Sequence, residues 1–274
     1  MIPLAFEYER ADSAEAAIAA LARHGDEAKL LAGGHSLLPL MKLRLAAPAV
    51  IVDIGRLSDL SYVRDEGAHL AIGALTRHHD LATSDLLAAE APLLRHAAGQ
   101  VGDPQVRHRG TIGGSVVHGD PASDLPAVLL AMRASVVVRG PGGERTIAAD
   151  DLFTGFLETT VGPDELLTEI KVPKTAGAGW SFQKLARRSQ DWAIVGVALQ
   201  LGDQPGIGLV NMAPQPTRAV DAEAALSAGA SPSEVGRSAS AEGDPSADLN
   251  ASVEYRRHLA GVLVGRAVAE AQGS

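Results

Sequence analysis

Two short stretches of the sequence combine paired glycines with a hydroxyl residue, an arrangement that lets backbone N–H groups approach a phosphate. Residues 32–36 read Ala-Gly-Gly-His-Ser, and residues 111–115 read Thr-Ile-Gly-Gly-Ser. Because glycine has no side chain, a ligand can come close to the peptide groups around it. A helix that begins just after such a loop adds N–H donors and a favourable dipole. The two stretches therefore predict one anion-binding site built from two loops, with ordinary turns as the alternative.

Polar residues crowd around the second stretch. It is preceded by Asp-Pro-Gln-Val-Arg-His-Arg at 103–109 and followed by His-Gly-Asp-Pro-Ala-Ser-Asp at 118–124. Asp124 can accept hydrogen bonds from ligand hydroxyls, and its alternative role is the N-cap of the helix that follows. Neither stretch continues into the Gly-Lys-Ser/Thr of a Walker loop, and neither has the Gly-x-Gly-x-x-Gly of a Rossmann unit.

The sequence predicts neither a protein-bound metal nor a serine nucleophile. His35 and His118 lack the His-x-x-x-His or His-Glu-x-x-His spacing, and the neighbours His78 and His79 would diverge on a helix or a strand. The serine that ends each glycine stretch lacks the Gly-x-Ser-x-Gly context of a nucleophile elbow. We therefore expect no catalytic side chain and no metal ligand in this chain.

Composition narrows the function class further. The 274 residues carry a net charge of −9 with no block of Lys and Arg, so nucleic-acid binding is not expected. There is no cysteine, so the chain cannot form a disulfide or ligate an iron–sulfur cluster through thiolates. The first residues lack the features of a signal peptide, and no apolar run approaches the roughly 20 residues that span a bilayer. We expect a cytoplasmic protein without a transmembrane segment.

Periodicity and turn residues place each glycine stretch among alternating helices and strands. The first stretch follows a strand and precedes a helix that Ser36 can cap, with Pro39 in its first turn. Strands are predicted at 29–32, 50–54, 60–64, 69–72, 135–139, 145–147, 166–172, 180–185, 193–201 and 206–212. Helices are predicted at 13–24, 37–45, 76–83, 85–98, 124–132, 217–228, 231–239 and 251–271.

The region after residue 175 reads as a separate unit. Residues 175–179, Thr-Ala-Gly-Ala-Gly, form a linker candidate, and the next three strands suggest an antiparallel meander. The final helix has an apolar stripe that should face a core. The stripe consists of Tyr255, Leu259, Val262, Leu263 and Ala267.

The two glycine stretches resemble the paired flavin-binding motifs of the FAD subunit of molybdenum hydroxylases, which include xanthine dehydrogenase and aerobic carbon monoxide dehydrogenase. The resemblance rests on residues 32–44 and 109–115. Residues 1–8, 103–107 and 119–121 point to the medium subunit of the carbon monoxide dehydrogenase branch. The resemblance covers the whole chain.

This resemblance implies an α+β fold, with a two-lobed FAD-binding domain of the molybdopterin dehydrogenase (PCMH) type. The domain would occupy residues 1–175, with lobes at about 1–55 and 56–175. A small α+β C-terminal domain, with an antiparallel three-stranded sheet and helices, would occupy residues 178–274. FAD would lie in the cleft between the lobes.

The resemblance also implies which residues contact FAD. The two motifs would hold the diphosphate and ribityl chain, and further contacts would come from the regions around residues 124, 167, 184 and 192. The implied set is Ala32, Gly33, Gly34, His35, Ser36, Leu37, Thr111, Ile112, Gly113, Gly114, Ser115, Asp124, Leu167, Lys184 and Trp192.

Two of these positions hold a residue that differs from the one usual in the family. Ser115 stands where the family usually has Asn, which keeps a hydrogen-bonding group but shortens its reach. Trp192 stands where the carbon monoxide dehydrogenase branch has Tyr near the flavin ring, and its alternative role is a core anchor of the C-terminal meander.

By the same resemblance, the chain would be the FAD subunit of a heterotrimer that dimerises, (αβγ)2. A large subunit with a molybdenum–pterin cofactor would oxidise the substrate, and a small subunit with two [2Fe–2S] clusters would relay electrons to FAD. A quinone or another acceptor would then take them, and the enzyme would lie in the cytoplasm or at the inner face of the membrane. Carbon monoxide is the favoured substrate, and purines, N-heterocycles and aldehydes are alternatives. A non-redox module that binds another phosphate ligand is the alternative of a different class.

Overall fold

The computed structural model describes residues 2–273 and begins with a small parallel α/β lobe. Its three strands lie in the order β1–β3–β2, and all pairs are parallel. The strands are β1 (Glu7–Arg10), β2 (Ala28–Leu31) and β3 (Val50–Asp53), and the helices are α1 (Ala14–His24) and α2 (Leu37–Leu43). The predicted alternation of helix and strand is confirmed, and β1 is an additional strand that the sequence did not predict.

Local signals set the bounds of α1. The Ser13 hydroxyl oxygen accepts a hydrogen bond from the Ala16 N–H at 3.1 Å, and Gly25 ends the helix at a φ of 55°. One face of the helix packs into the core of this lobe through Ala17, Ala20 and Leu21. Because alanine side chains are short, α1 lies close to the sheet.

The second helix begins at Leu37 as predicted but differs from its prediction in its cap and its end. Ser36 occupies the predicted N-cap position, but it has helical backbone angles and its side chain makes no capping hydrogen bond. The helix ends at Leu43 rather than Leu45, because Arg44 adopts a left-handed conformation with a φ of 60°. The Ser36 hydroxyl in the loop at 32–36 is therefore not used to cap this helix.

The second lobe is an antiparallel sheet of five strands in the order β4–β5–β10–β6–β7, with helices in the connection from β5 to β6. The sheet strands are β4 (Val63–Asp65), β5 (His69–Gly73), β6 (Ser135–Gly140), β7 (Gly143–Ala148) and β10 (Leu166–Pro173), and β8 (Phe153–Gly155) pairs with β9 (Glu158–Thr159). The helices are α3 (His78–Thr83), α4 (Asp85–Glu90), α5 (Pro92–Gln100), α6 (Pro104–Arg107), α7 (Ile112–His118) and α8 (Asp124–Ala131).

Two predictions in this lobe are wrong in detail. The single helix predicted at 85–98 is two helices, because Pro92 begins α5 and the preceding Ala91 leaves helical geometry. The glycines of the second motif lie inside α7, which the sequence did not predict, because low helix propensity hid it. This motif is therefore the first turn of a helix rather than an open loop.

The C-terminal region has a four-stranded antiparallel sheet in the order β11–β12–β13–β14, covered by three helices. The strands are β11 (Trp180–Leu185), β12 (Val195–Gln200), β13 (Gly206–Val210) and β14 (Thr217–Arg218), and the helices are α9 (Val220–Ser227), α10 (Pro232–Ala241) and α11 (Val253–Gln272). The three predicted strands are present, but the sheet has a fourth, two-residue strand. In α11, Leu259, Leu263 and Ala267 are buried as predicted, whereas Tyr255 is exposed.

Helix α8 joins the second lobe to the C-terminal sheet. A Cβ atom on Gly206 or Gly208 of β13 would lie only 1.9 Å from the carbonyl oxygen of Ala131 or Ala127 on that helix. Glycine is required there because the strand runs directly against the helix backbone. This contact fixes β11 and its Lys184 beside the start of α8.

The described residues contain neither a membrane-spanning helix nor a cluster of metal ligands. Across residues 2–273, no helix combines the length and apolar character needed to cross a membrane. In the same described range, no three His, Cys, Asp or Glu side chains converge to hold a metal ion.

Candidate cofactor site

A cavity of about 860 Å³ opens where the two lobes and the C-terminal region meet. Its volume lies within the range of about 300–1,000 Å³ that is typical of small-molecule and cofactor sites. The structure brings together all of the predicted contact residues except Ile112. Those that line the cavity are Ala32, Gly33, Gly34, His35, Ser36, Leu37, Thr111, Gly113, Gly114, Ser115, Asp124, Leu167, Lys184 and Trp192.

Ile112 does not line the cavity, and its contact with the cofactor stays a prediction. The side chain is fully buried in the core of the second lobe. Ile112 is the first residue of α7 and points to the core, whereas the next three residues line the cavity. Its role is to anchor α7.

The first glycine loop presents unused backbone donors. Within the described residues, the N–H groups of residues 33–37 donate no hydrogen bond to another protein group. Gly34 has a φ of +78°, which glycine adopts without strain. Consecutive free N–H groups in such a turn form a concave anion-binding surface. This loop therefore fits the diphosphate of a dinucleotide.

In the second glycine motif the N–H groups of residues 112–115 are used within the protein, so the prediction that they are available to a ligand is wrong. The hydrogen bonds are Ile112 N to Thr76 O (3.1 Å), Gly113 N to Ala74 O (2.8 Å), Gly114 N to Thr111 Oγ1 (3.1 Å) and Ser115 N to Thr111 O (3.1 Å). A Cβ atom on Gly113 would lie 2.7 Å from Ala74 Cβ, so this glycine permits close packing of α7. The motif offers the ligand a glycine surface and the Ser115 hydroxyl.

The two motifs are pressed together at Gly33. A Cβ atom on Gly33 would lie 2.3 Å from the carbonyl oxygen of Arg109 and 2.8 Å from Gly110 Cα. The Arg77 guanidinium donates to the Arg109 carbonyl oxygen and, at 3.4 Å, to the carbonyl oxygen of Gly55 in the first lobe. The backbone contact at Gly33 and the Arg77 guanidinium therefore tie the two glycine motifs of the two lobes to each other.

A buried ion pair closes the cavity on the side of the C-terminal region. Lys184 Nζ lies 2.7 Å from Asp124 Oδ2, and only 12% and 5% of these side chains are exposed. Burial raises the pKa of the Asp124 carboxyl, and the Lys184 ammonium opposes that rise. Ser123 holds the N-cap position of α8, so the alternative N-cap role of Asp124 is wrong. Within residues 2–273, Asp124 Oδ1 is buried without a hydrogen-bond partner, which suits a ligand hydroxyl.

Trp192 and Leu167 form apolar parts of the cavity wall. Trp192 is 57% exposed, so its alternative role as a core anchor is wrong. Leu167 is buried, and each of the two side chains offers the cavity an apolar surface against which a flat ring can pack.

Sequence reasoning missed His78, which lines the cavity and is 2% exposed. Its Nε2 atom lies 3.1 Å from Ser115 Oγ. Burial, together with the charges of Arg77, His35 and Arg107, lowers the pKa of His78 to about 4. A histidine next to another histidine, about 37 residues from its serine partner, carries no signal in a single sequence.

The lowered pKa of His78 predicts acid lability. The folded chain holds this imidazole neutral, whereas the unfolded chain protonates it near pH 6.5. Stability is therefore lost as the pH falls, by about 3 kcal/mol between pH 6.5 and 4. Urea unfolding across this range, with His78→Gln beside the wild type, measures the effect. An unchanged pH slope in the variant would contradict it.

Comparisons with known proteins agree with this geometry. Residues 4–175 match the family model described as the FAD binding domain in molybdopterin dehydrogenase. Residues 180–271 match the CO dehydrogenase flavoprotein C-terminal domain. The matched segments together cover both glycine motifs, Asp124, Lys184 and Trp192.

Similar proteins span nearly the whole chain. The carbon monoxide dehydrogenase medium chain of Hydrogenophaga pseudoflava is 42% identical over 98% of this chain and 97% of that protein. A solved structure of carbon monoxide dehydrogenase from the same organism superposes with a TM-score of 0.96 at 43% identity, covering 100% of this chain and 99% of that one. The glyceraldehyde dehydrogenase medium chain of Sulfolobus acidocaldarius is 42% identical over 73% of this chain and 71% of that protein.

Proposed function

This chain belongs to the family of FAD-binding subunits of molybdopterin dehydrogenases, and on that premise we propose that it carries electrons in an aerobic carbon monoxide dehydrogenase. The observation that carries the proposal is the loop at residues 33–37, whose free N–H groups open into the shared cavity. Similarity to a carbon monoxide dehydrogenase medium chain over 98% of the sequence supports the choice of enzyme. FAD, when bound, supplies the electron-transfer chemistry.

We assign the contacts by the chemistry of each group. The N–H groups of residues 33–37 hold the diphosphate, and Ser115 adds a hydroxyl from the second lobe. Asp124 Oδ1 accepts from a cofactor hydroxyl, because it is buried and has no protein partner within residues 2–273. Leu167 and Trp192 pack against the ring system. In this assignment the FAD-binding domain is 1–175, with lobes at about 1–55 and 56–175, and the C-terminal domain is 178–274.

The proposed assembly places the substrate chemistry in other subunits. A large subunit with a molybdenum–pterin cofactor oxidises CO with water to CO2, and a small subunit relays electrons through [2Fe–2S] clusters. The absence of cysteine from this chain agrees with that division. The complex is (αβγ)2, lies in the cytoplasm or against the inner membrane face, and delivers electrons to a quinone or another acceptor.

An aldehyde dehydrogenase is the second candidate. Similarity to a glyceraldehyde dehydrogenase medium chain supports it, and comparable similarity to a nicotine 6-hydroxylase medium subunit and a caffeine dehydrogenase subunit supports N-heterocycle and purine oxidation as further alternatives. The FAD cradle is common to all of these enzymes, because the substrate pocket lies in the large subunit. A non-redox phosphate-binding module is less well supported, because the family match covers both glycine motifs.

The purified complex tests the proposal. We expect FAD to be released on denaturation at one molecule per copy of this chain, identified by chromatography, and artificial-acceptor reduction to depend on CO. Activity with glyceraldehyde but not CO would select the second candidate. A complex that carries no FAD and takes none up would reject the flavin role itself.

A further inference from the structure

Most backbone donors of the second glycine motif are already used within the protein. The N–H groups of residues 112 to 115 are all bonded to protein acceptors. The Ser115 hydroxyl lines the cavity, and its oxygen lies 3.1 Å from His78 Nε2. Whether this hydroxyl donates into the cavity or toward the histidine depends on which ring nitrogen of His78 carries the proton.

The surroundings of His78 decide that question. Its backbone N–H donates to the carbonyl oxygen of Gly110 at 3.1 Å, and the ring packs so closely on Gly110 that a Cβ atom there would lie 2.7 Å from His78 Cδ2. Among the described residues, Nδ1 is buried and has no hydrogen-bond partner. A proton on Nδ1 would be a buried, unsatisfied donor, which costs more than an unsatisfied lone pair. The proton therefore belongs on Nε2.

We propose that His78 is a positioning residue whose Nε2–H donates to Ser115 Oγ, leaving the serine hydroxyl proton free to donate to an acceptor oxygen of the bound cofactor. The inference rests on the proposed function, because the acceptor belongs to FAD. The arrangement also gives a role to Ser115, which stands where the family usually has Asn. A serine hydroxyl can accept a hydrogen bond from the histidine and donate one to the ligand at the same time. The neutral imidazole is also the state that burial favours.

Affinity measurements on the deflavinated complex test this arrangement. We expect Ser115→Ala and His78→Phe each to raise the FAD dissociation constant about tenfold, the effect of one lost hydrogen bond. The double variant should bind no more than about twofold more weakly than His78→Phe alone, because the two groups act as one unit. His78→Gln places an amide N–H near the Nε2 position and should restore the affinity to within about threefold of the wild type.

The neighbour His79 supplies the matched control. Its ring stacks on His108 with centroids 4.1 Å apart, and His79→Phe should leave the dissociation constant unchanged. Wild-type affinity in His78→Phe would overturn the inference, and so would a double variant about 100-fold weaker, the product of two independent tenfold losses. A wild-type complex that binds no FAD would instead reject the proposed function.

If His78→Phe fails to assemble, the tautomer of His78 can be measured directly in the wild-type protein. The side-chain nitrogen chemical shifts of labelled histidine in the full chain distinguish the two tautomers. A proton on Nε2 of His78 supports the inference, and a proton on Nδ1 overturns it.

Discussion

Gly33→Ala is expected to abolish FAD retention by the complex while the chain stays folded. The new Cβ would lie 2.3 Å from the Arg109 carbonyl oxygen, and real Cβ atoms essentially never approach below 3.0 Å, so the loops must separate by at least about 0.7 Å. Both neighbours are backbone atoms, which cannot rotate away as a side chain can. The N–H groups of residues 33–37 would then lose register with the second lobe. A displacement near 1 Å typically costs about 100-fold in a preorganised site.

FAD content per chain and the FAD dissociation constant measure this effect. Gly99→Ala is the matched control, because a Cβ there meets only Ala82 Cβ at an ordinary 3.9 Å and the position lies inside α5. Alanine in a helix interior is favoured over glycine by about 0.5–1 kcal/mol, so this variant should keep its FAD and its stability. Stoichiometric FAD in Gly33→Ala would contradict the two-loop cradle.

Lys184→Met is expected to lower the free energy of unfolding by about 3–5 kcal/mol at pH 8, the usual effect of leaving one partner of a buried ion pair alone. Asp124 has only 5% of its side chain exposed, and Lys184 is the cation that its carboxylate contacts. The pair also joins α8 to β11, so its loss weakens the contact between the second lobe and the C-terminal sheet. The urea midpoint of the variant measures the loss.

The pH dependence of the stability of Lys184→Met distinguishes loss of the ion pair from loss of side-chain packing. Burial raises the pKa of Asp124, and without the ammonium nothing in the pair opposes that rise. A carboxyl whose folded pKa is raised favours folding at low pH and opposes it as the pH rises through that pKa. The deficit of Lys184→Met should therefore shrink between pH 8 and pH 5. The double variant Asp124→Asn/Lys184→Met should recover most of the stability, and a deficit equal at both pH values would point to packing alone.

The sequence alone indicated where the site lies and which helices and strands surround it. Glycine pairs, a following serine and a polar flank indicated an anion site at both motifs, because these signals are local. It also placed most helices and strands, since periodicity and turn residues act over a few positions. It failed at β1, α6, α7, β8, β9 and β14, which are short elements held by tertiary contacts.

The roles of individual residues were decided by the tertiary structure. Gly33 and Gly113 look alike in the sequence, yet one accompanies free N–H groups and the other allows α7 to pack on Ala74. Ile112 turned to the core and Trp192 to the cavity, whereas their residue types alone allowed either place.

What the sequence determined by itself was therefore where a ligand or another chain segment can approach the backbone closely, because the absence of a side chain is a property of the residue. Only the fold decided which backbone groups remain free, which buried charges are paired and which proton His78 holds. Those properties depend on groups far apart in the chain, such as Asp124 with Lys184 and His78 with Ser115, which lie 60 and 37 positions apart. Because these groups are buried, losing one partner costs stability: an unpaired polar group inside the protein has no water to replace its partner.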